Sequence, residues 1–433
     1  MTQSNIDAIL KPFQRFGVHL GLKRIKHLLE RLGNPHTKVP IAHVAGSNGK
    51  GSVCTYVSSV LATAGYRVGR YTSPHLVDWT ERICINNKPI SENALEEVLL
   101  QVQNAVDPGE ESPTQFEIIT AAAWLYFARG NVDIAVIEVG LGGRLDATNV
   151  CDTPLVTAIV SISREHWQRL GPTVADIAGE KAGILKENCP VVVGKLPPEA
   201  ETVVKSKIAA LNCPAVWANP AQKIGENQGR FVPPDTEKFE FNSMEYSLSL
   251  LGDIQLMNSA IAIAIVQILR HQGWTIPNAA ISDGIAKAQW LGRLQWIQWE
   301  DRYILLDGAH NPEAARGLRQ YTDQLRKNSS GNKSEITWVM GILATKDWAD
   351  IFAELLQPGD RLYLVPIPDH QSALPEELAA IARSTCPQLN DCQTFCDLFD
   401  ALQRASSSDS LIVLCGSLYL VGYFLKQIGN FTH

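Results

Sequence analysis

Val39-Pro40-Ile41-Ala42-His43-Val44-Ala45 runs straight into Gly46-Ser47-Asn48-Gly49-Lys50-Gly51-Ser52, and this junction limits the fold more than any other segment. The apolar stretch reads as a short buried strand, and the glycines as a loop. The residues from about Lys50 to Ala64 read as a helix that Gly65 ends. Strand, glycine loop and helix in that order define a nucleotide-binding α/β core. The loop keeps only part of the usual phosphate-binding pattern, Gly46-x-x-Gly49-Lys50, with Gly51 between the lysine and Ser52. Glycines let successive N–H groups turn toward one anion, and the following helix adds its positive end. Lys50 supplies a mobile charge for β- and γ-phosphates, and Ser47 or Ser52 a hydroxyl for phosphate or Mg²⁺.

The alternation continues along the chain. A helix over 21–32 stops at Gly33-Asn34-Pro35, and 116–128 reads as a second helix. Asp133–Ile137 reads as a buried strand with Glu138 at its carboxyl end, Leu155–Ser161 as another, and Pro190–Gly194 as a third. A helix at 173–181 lies between the last two. Such alternation implies a mostly parallel sheet covered on both faces, with ligands beyond the carboxyl ends of its strands. Gly46, Ser73, Glu138 and His166 all follow candidate strands, so one crevice can gather them. The stretch 218–240, rich in Pro, Gly and charge, reads as a surface excursion, followed by helices over 255–272 and 277–289. From about 294 the pattern restarts, with strands near 303–307, 336–341, 361–365 and 411–415. Helices near 312–326, 346–356, 374–384 and 417–427 separate them. The domain boundary is placed at 292–297.

Composition limits the rest. A net charge of −7 over 433 residues argues against general affinity for nucleic acid, so any phosphate site must be built locally. Nine scattered cysteines form no CxxC pair, and MTQSNIDAIL has no signal-peptide pattern; both fit a reducing cytoplasm. The longest apolar runs, 260–266 and 411–415, are too short for a membrane span. Gly140-Leu141-Gly142-Gly143-Arg144 imitates a dinucleotide fingerprint, but Leu145 occupies its last glycine position and the strand before it already ends in Glu138, which argues against an NAD site there.

Joining a carboxylate to an amine with ATP brings two anions together, so fixed cations and a divalent metal must dominate catalysis. Mg²⁺ takes hard oxygen donors, for which Glu138 and the Ser73 hydroxyl in Thr72-Ser73-Pro74-His75 are suitable. Singly, each is an ordinary loop residue; their joint placement after different strands raises the functional reading.

Taken in order, the segments VAGSNGKGS (44–52), YTSPHL (71–76), ERICINN (81–87), FEIITAAAWLYF (116–127), IEVGLGGRLDATNV (137–150), EKAGILK (180–186), GRL (292–294), LLDGAHNPEAAR (305–316) and GSLYLVG (416–422) resemble the folylpolyglutamate synthases and dihydrofolate synthases of the Mur-ligase superfamily. The resemblance extends over nearly the whole chain. It implies an α/β fold: a mostly parallel-sheet P-loop ATPase domain over 1–292 that binds ATP and the pterin. A smaller Rossmann-like α/β domain over 293–433 would carry the glutamate-ligase function. It implies amide formation between L-glutamate and dihydropteroate, the glutamyl tail of a reduced folate, or both. The route is an acyl phosphate, with ADP and phosphate released.

By the same resemblance Asn48, Gly49, Lys50, Gly51 and Ser52 hold the ATP phosphates, Asn258 contacts adenine, and Arg293 and Asp307 reach ATP from the domain junction. Ser73, Glu138 and His166 are the Mg²⁺ ligands, in two sites. Lys181 matches a lysine carried as a carbamate, which needs a lowered pKa because the neutral amine reacts. Lys50, Lys181 and His310 are the catalytic candidates, with His310 near the phosphates and the incoming glutamate. Thr114, Gln115, Phe116 and Glu117, with Leu145, Asp146 and Ala147, line the pterin pocket. Asn311 and Pro312 also read structurally, as a helix cap and first helical position.

The chain departs from the family at Ser47, usually Thr; at Glu165, usually Asp; and at Ile254-Gln255, usually His-Gln. A cell-wall Mur ligase acting on a UDP-sugar peptide is the enzyme alternative, but such enzymes usually carry a further N-terminal domain. A P-loop binding protein without ligase chemistry leaves the second α/β domain unexplained. The expected partners are small molecules, with no nucleic acid or membrane, for a cytoplasmic monomer.

Overall fold

The computed structural model describes residues 5–14, 20–234, 236, 238–328 and 335–429; of the MTQSNIDAIL segment, residues 1–4 lie outside them. The chain divides into two units, one of Met1–Ser249 with Gln255–Gln289 and one of Leu250–Ile254 with Trp290–His433. The second unit thus begins two residues before the expected boundary and also takes in a short piece ahead of the helix Ile254–His271.

Among the described residues the first unit carries eleven strands: β1 Ile41–Ala45, β2 Val68–Tyr71, β3 Ile83–Ile85, β4 Lys88–Pro89, β5 Ile134–Glu138, β6 Val156–Ile159, β7 Val191–Val193, β8 Ala215–Trp217, β9 Gln222–Gly225, β10 Gln228–Phe231 and β11 Met244–Ser247. Eight form one sheet in the order β4-β3-β2-β5-β1-β6-β7-β8. From β2 to β8 the pairings are parallel, and β3 and β4 add an antiparallel edge. All five β1 residues are buried, as a central strand covered on both faces requires.

Register puts Ile41, His43 and Ala45 of β1 on the same face as Ala135 and Ile137 of β5 and Thr157 and Ile159 of β6. Two apolar clusters use that face. One gathers Ile41, Ala135 and Ile137 under the helix Gln115–Arg129 with Trp124 and Phe127; the other gathers Ala45, Ile159 and Val193 under the helix Val174–Lys181. Capping boxes fix where these helices begin: Thr114 with Glu117, and Thr173 with Asp176.

The excursion expected at 218–240 is a correction. Its described residues include β9 and β10, which with β11 form a three-stranded antiparallel sheet. Alternation in β10 buries Gly229 and Phe231 and exposes Gln228 and Arg230, and Tyr246 Oη lies 2.7 Å from Ser259 Oγ of the helix Ile254–His271. That helix is long and apolar enough to span a membrane by composition, which the run lengths did not register; 72% of the span is buried inside the protein.

The second unit carries β12 Gln295–Trp299, β13 Arg302–Leu306, β14 Ile336–Met340, β15 Arg361–Leu364, β16 Asp391–Thr394 and β17 Leu411–Cys415. They form one sheet in the order β12-β13-β17-β14-β15-β16, parallel except for the β12–β13 hairpin. Its core centres on Trp338, Phe352 and Leu378.

Candidate functional site

Four neighbouring strands of the first sheet, β2, β5, β1 and β6, end on the same side because they are parallel. Ser73 follows β2, Glu138 ends β5, Gly46 follows β1, and 161–166 follow β6. The topology therefore gathers the expected residues at one sheet edge, where α/β folds bind ligands.

The glycine loop is fastened to the segment after β6. Ser47 N donates to Ser161 O at 2.8 Å. Ser161 Oγ accepts from Asn48 N and donates to Asn48 O, both at 3.0 Å. Ser47 Oγ accepts from Ser163 N at 3.0 Å and donates to Ser163 O at 3.3 Å. These contacts change two expectations: the Ser47 hydroxyl and the Asn48 N–H are engaged in shaping the loop. The anion-facing donors are the first-turn N–H groups of the helix Lys50–Thr63, at Lys50, Gly51 and Ser52, which helix geometry leaves without an intrahelical acceptor. Sequence reasoning missed Ser161 and Ser163, since isolated serines carry no motif.

Gly49 caps that helix with φ 84°, and a Cβ there would lie 2.4 Å from Asn258 Oδ1. Only glycine combines that backbone conformation with so close an approach. Asn258 is 2% exposed; its Nδ2 donates to Gln255 Oε1 at 3.0 Å, while its Oδ1 is buried with no hydrogen-bond partner. An orphaned amide oxygen against the phosphate loop fits an amino group of a purine ring, because its desolvation is otherwise uncompensated.

Two ammonium groups converge on Gly46 O: Lys50 Nζ and Lys181 Nζ, each at 2.8 Å. Lys50 Nζ also donates to Ser47 O at 3.1 Å, and Lys181 Nζ to Glu165 Oε1 at 2.9 Å. Burial raises the Glu165 carboxyl, but Lys181, Lys50 and His166 together hold it well below the usual carboxylate range. Burial is also the largest influence on Lys181 and lowers its pKa, with Glu165 opposing. A carbamate needs that lowered pKa, and forming one requires Lys181 to give up Glu165.

Glu138 is 5% exposed, and its Oε2 accepts from Ser73 N at 3.1 Å. A carboxylate and a hydroxyl on adjacent strand ends form a hard-oxygen pair that suits Mg²⁺ sharing its remaining positions with water and phosphate. His166 is exposed, with φ 47°, ahead of the helix Trp167–Leu170. Among the described residues, no three His, Cys, Asp or Glu side chains form a metal cluster.

Thr114, Gln115 and Phe116 are half-buried at the start of their helix, and Phe116 packs against Gly140 so closely that a Cβ there would meet the ring at 2.4 Å. Glu117 is buried; it accepts from Thr114 N at 2.7 Å and from Arg24 Nε at 3.0 Å, so its carboxylate shapes the helix start. Leu145 is half-buried, and Asp146 and Ala147 are buried. The Asp146 carboxylate folds its own loop: Oδ2 accepts from Leu141 N at 2.8 Å, and Oδ1 from Thr148 N at 3.0 Å and Thr148 Oγ1 at 2.6 Å.

In the second unit, Asp307 follows β13 and fastens two loops. Its Oδ2 accepts from Leu294 N at 2.9 Å and its Oδ1 from Ala309 N at 2.8 Å; burial raises its pKa, with Arg293 opposing. His310 Nδ1 lies 2.7 Å from Gly308 O and must carry a proton to bond there. Asn311 Oδ1 accepts from Ala314 N at 2.9 Å at the start of the helix Pro312–Asn328, as the sequence predicts.

The phosphate loop at the carboxyl end of a parallel sheet and the second α/β unit fit the class of ATP-dependent ligases of the Mur-ligase type. Residues 44–266 match the Mur ligase middle domain, and residues 293–427 match the dihydrofolate synthetase C-terminal domain. The chain is 34% identical to the dihydrofolate synthase/folylpolyglutamate synthase of Bacillus subtilis, over 96% of both chains. Its fold matches Mycobacterium tuberculosis folylpolyglutamate synthase complexed with ADP and AMPPCP, with TM-score 0.84, 27% identity and coverage of 99% of this chain and 98% of that one. E. coli FolC in complex with DHPP and ADP matches with TM-score 0.80, 28% identity and the same coverage. The chain belongs to the folylpolyglutamate synthase and dihydrofolate synthase family.

Proposed function

We propose that this chain uses ATP to join L-glutamate to dihydropteroate, to the glutamyl tail of a reduced folate, or to both. The observation that carries the nucleotide half is the pairing of free first-turn donors and Lys50 with the orphaned Asn258 oxygen beside Gly49. The acceptor carboxylate attacks the γ-phosphorus and ADP leaves, giving an acyl phosphate. The glutamate amine then attacks the acyl carbon, expels phosphate and loses its proton. Lys50 and the helix N–H groups offset charge on the transferring phosphoryl group. Ser73, Glu138 and His166 would hold Mg²⁺, which supplies further charge neutralisation when bound.

The first unit is assigned to ATP and the pterin, with Phe116 offering a flat apolar ring beside Thr114 and Gln115, and Leu145–Ala147 forming the facing loop. Arg293 and Asp307 are assigned to the nucleotide, and His310 to the phosphates and the incoming amine. Lys181 is assigned the carbamate: its nitrogen bonds to the carbon of CO₂, and the displaced proton passes to solvent. The protein is proposed to act as a cytoplasmic monomer on small molecules.

ADP release measured with L-glutamate and one acceptor at a time tests the reaction. Turnover with dihydropteroate, tetrahydrofolate or both is expected. Turnover only with a UDP-sugar peptide would overturn it.

A further inference from the structure

On β1, three residues ahead of Gly46, stands a histidine with no place in phosphate binding. His43 is 1% exposed, with Ile137 of β5 across one register pair and Thr157 of β6, whose hydroxyl donates to Pro190 O, across the other. A buried imidazole requires a hydrogen-bond partner, and His43 Nε2 lies 2.9 Å from Thr148 Oγ1. Thr148 is itself wholly buried, and its hydroxyl also lies 2.6 Å from Asp146 Oδ1.

The hydroxyl has one proton to give. Burial raises the Asp146 pKa, opposed by the hydrogen bonds from Thr148 and the loop backbone; in the ionised form, with both oxygens accepting from backbone N–H groups, it takes the Thr148 proton. The bond from His43 must therefore run the other way, with Nε2–H donating to Thr148 Oγ1. Burial pushes the His43 pKa down to about 3, so the ring is neutral and one tautomer satisfies the chain. The direction of every bond is thus fixed from β1 to Asp146, and from Asp146 Oδ2 on to the backbone of Leu141.

On its other side the same loop is tied to the helix Val174–Lys181 and the turn after it. Arg144 N donates to Glu180 O at 2.8 Å, and Asn149 Nδ2 donates to Gly183 O at 3.1 Å. The His43 chain adds an anchor from the strand that carries the phosphate loop.

We propose that His43 and Thr148 are positioning residues for the pteroyl substrate, holding Asp146 and thereby the Leu145–Ala147 face of its pocket in register with β1. The inference rests on the assignment of Leu145–Ala147 to that pocket. Neither residue touches the substrate; both act through Asp146. Their loss affects pterin binding and spares the ATP site, whose loop is fastened separately by Ser161 and Ser163.

The test is steady-state kinetics of the full chain with the pteroyl acceptor that supports ADP release. Thr148→Val keeps the shape and removes the hydroxyl. It should raise KM for the acceptor about tenfold, the scale of one broken buried hydrogen bond, while KM for ATP and kcat stay within about twofold. Thr148→Ser, which keeps the hydroxyl, should retain wild-type values. An unchanged acceptor KM in Thr148→Val, or equal rises for acceptor and ATP, overturns the proposal. Asp146→Asn separates the two layers. If it raises acceptor KM while Thr148→Val does not, the relay alone fails. If Asp146→Asn has no effect, the pocket assignment fails and takes the relay with it. ¹⁵N NMR of the wild-type histidines needs no variant to fold: His43 should show the Nε2–H tautomer, and the Nδ1–H tautomer overturns the relay.

Discussion

Polar side chains distant in sequence set the geometry of the glycine loop, and one of them, Ser161, carries no recognisable motif. Ser161 grips Asn48 at both backbone atoms, and Lys181 reaches Gly46 O from another helix. His43 gives this scale its pH signature. Its pKa is about 3 when folded and near 6.5 when unfolded, so between those values the unfolded chain binds the extra proton. Stability from the neutral ring is complete above the unfolded value and is lost as pH falls toward the folded one. From about pH 7.5 to about pH 5 the loss is roughly 2 kcal/mol. Urea unfolding of wild type and His43→Gln at both pH values should show that difference shrink in the variant; parallel curves would contradict it. Lys181 calls for a different measurement. With ¹³C-labelled bicarbonate, the wild type should show a carbamate resonance that Lys181→Ala lacks, and spectra without that resonance would remove the carbamate from the mechanism.

At the scale of elements, what could be read from sequence followed from burial. β1 and β5 are buried along their whole length, and their apolar runs are unambiguous. The loops after them could be placed because Gly46, Glu138 and Ser73 are chemically distinctive at strand ends. The sheet β9–β11 could not, since β9 is exposed at Gln222, Lys223 and Ile224 and alternation in β10 involves only Gly229 and Phe231 as buried residues. β12 and β16 were missed for a related reason: they are edge strands and only partly buried. In the site, phosphate and metal candidates had signatures, whereas Ser161, Ser163, Thr148 and His43 act only through contacts distant in sequence. The small sheet is nevertheless integral to the first unit. Phe231 is fully buried in it, with its ring 6.3 Å from that of Phe241. Phe231→Ala should cost about 3–5 kcal/mol in chemical denaturation, as a large buried ring does. A cost below about 1 kcal/mol would show the sheet to be a dispensable surface excursion.

For the whole molecule, each unit has its own mostly parallel sheet and apolar packing, and the catalytic assignments are divided between them. Binding and turnover should therefore separate by mutation. A non-hydrolysable ATP analogue at about a hundred times its Kd stabilises the state that binds it by about 2.7 kcal/mol, read as a rise in melting temperature. Lys50→Met removes the mobile charge from the phosphate loop and should abolish most of that rise together with turnover. His310→Ala alters only a side chain of the second unit, bonded to Gly308 O, and leaves the Asn258 and Gly49 contacts untouched. It should keep the analogue-induced rise near the wild-type value while ADP release with glutamate and acceptor falls by a factor of about a hundred or more, the scale of a lost acid–base or electrostatic contribution. If His310→Ala lost the melting rise and the turnover in equal measure, His310 would belong to nucleotide binding, and its assignment to the incoming amine would have to be withdrawn.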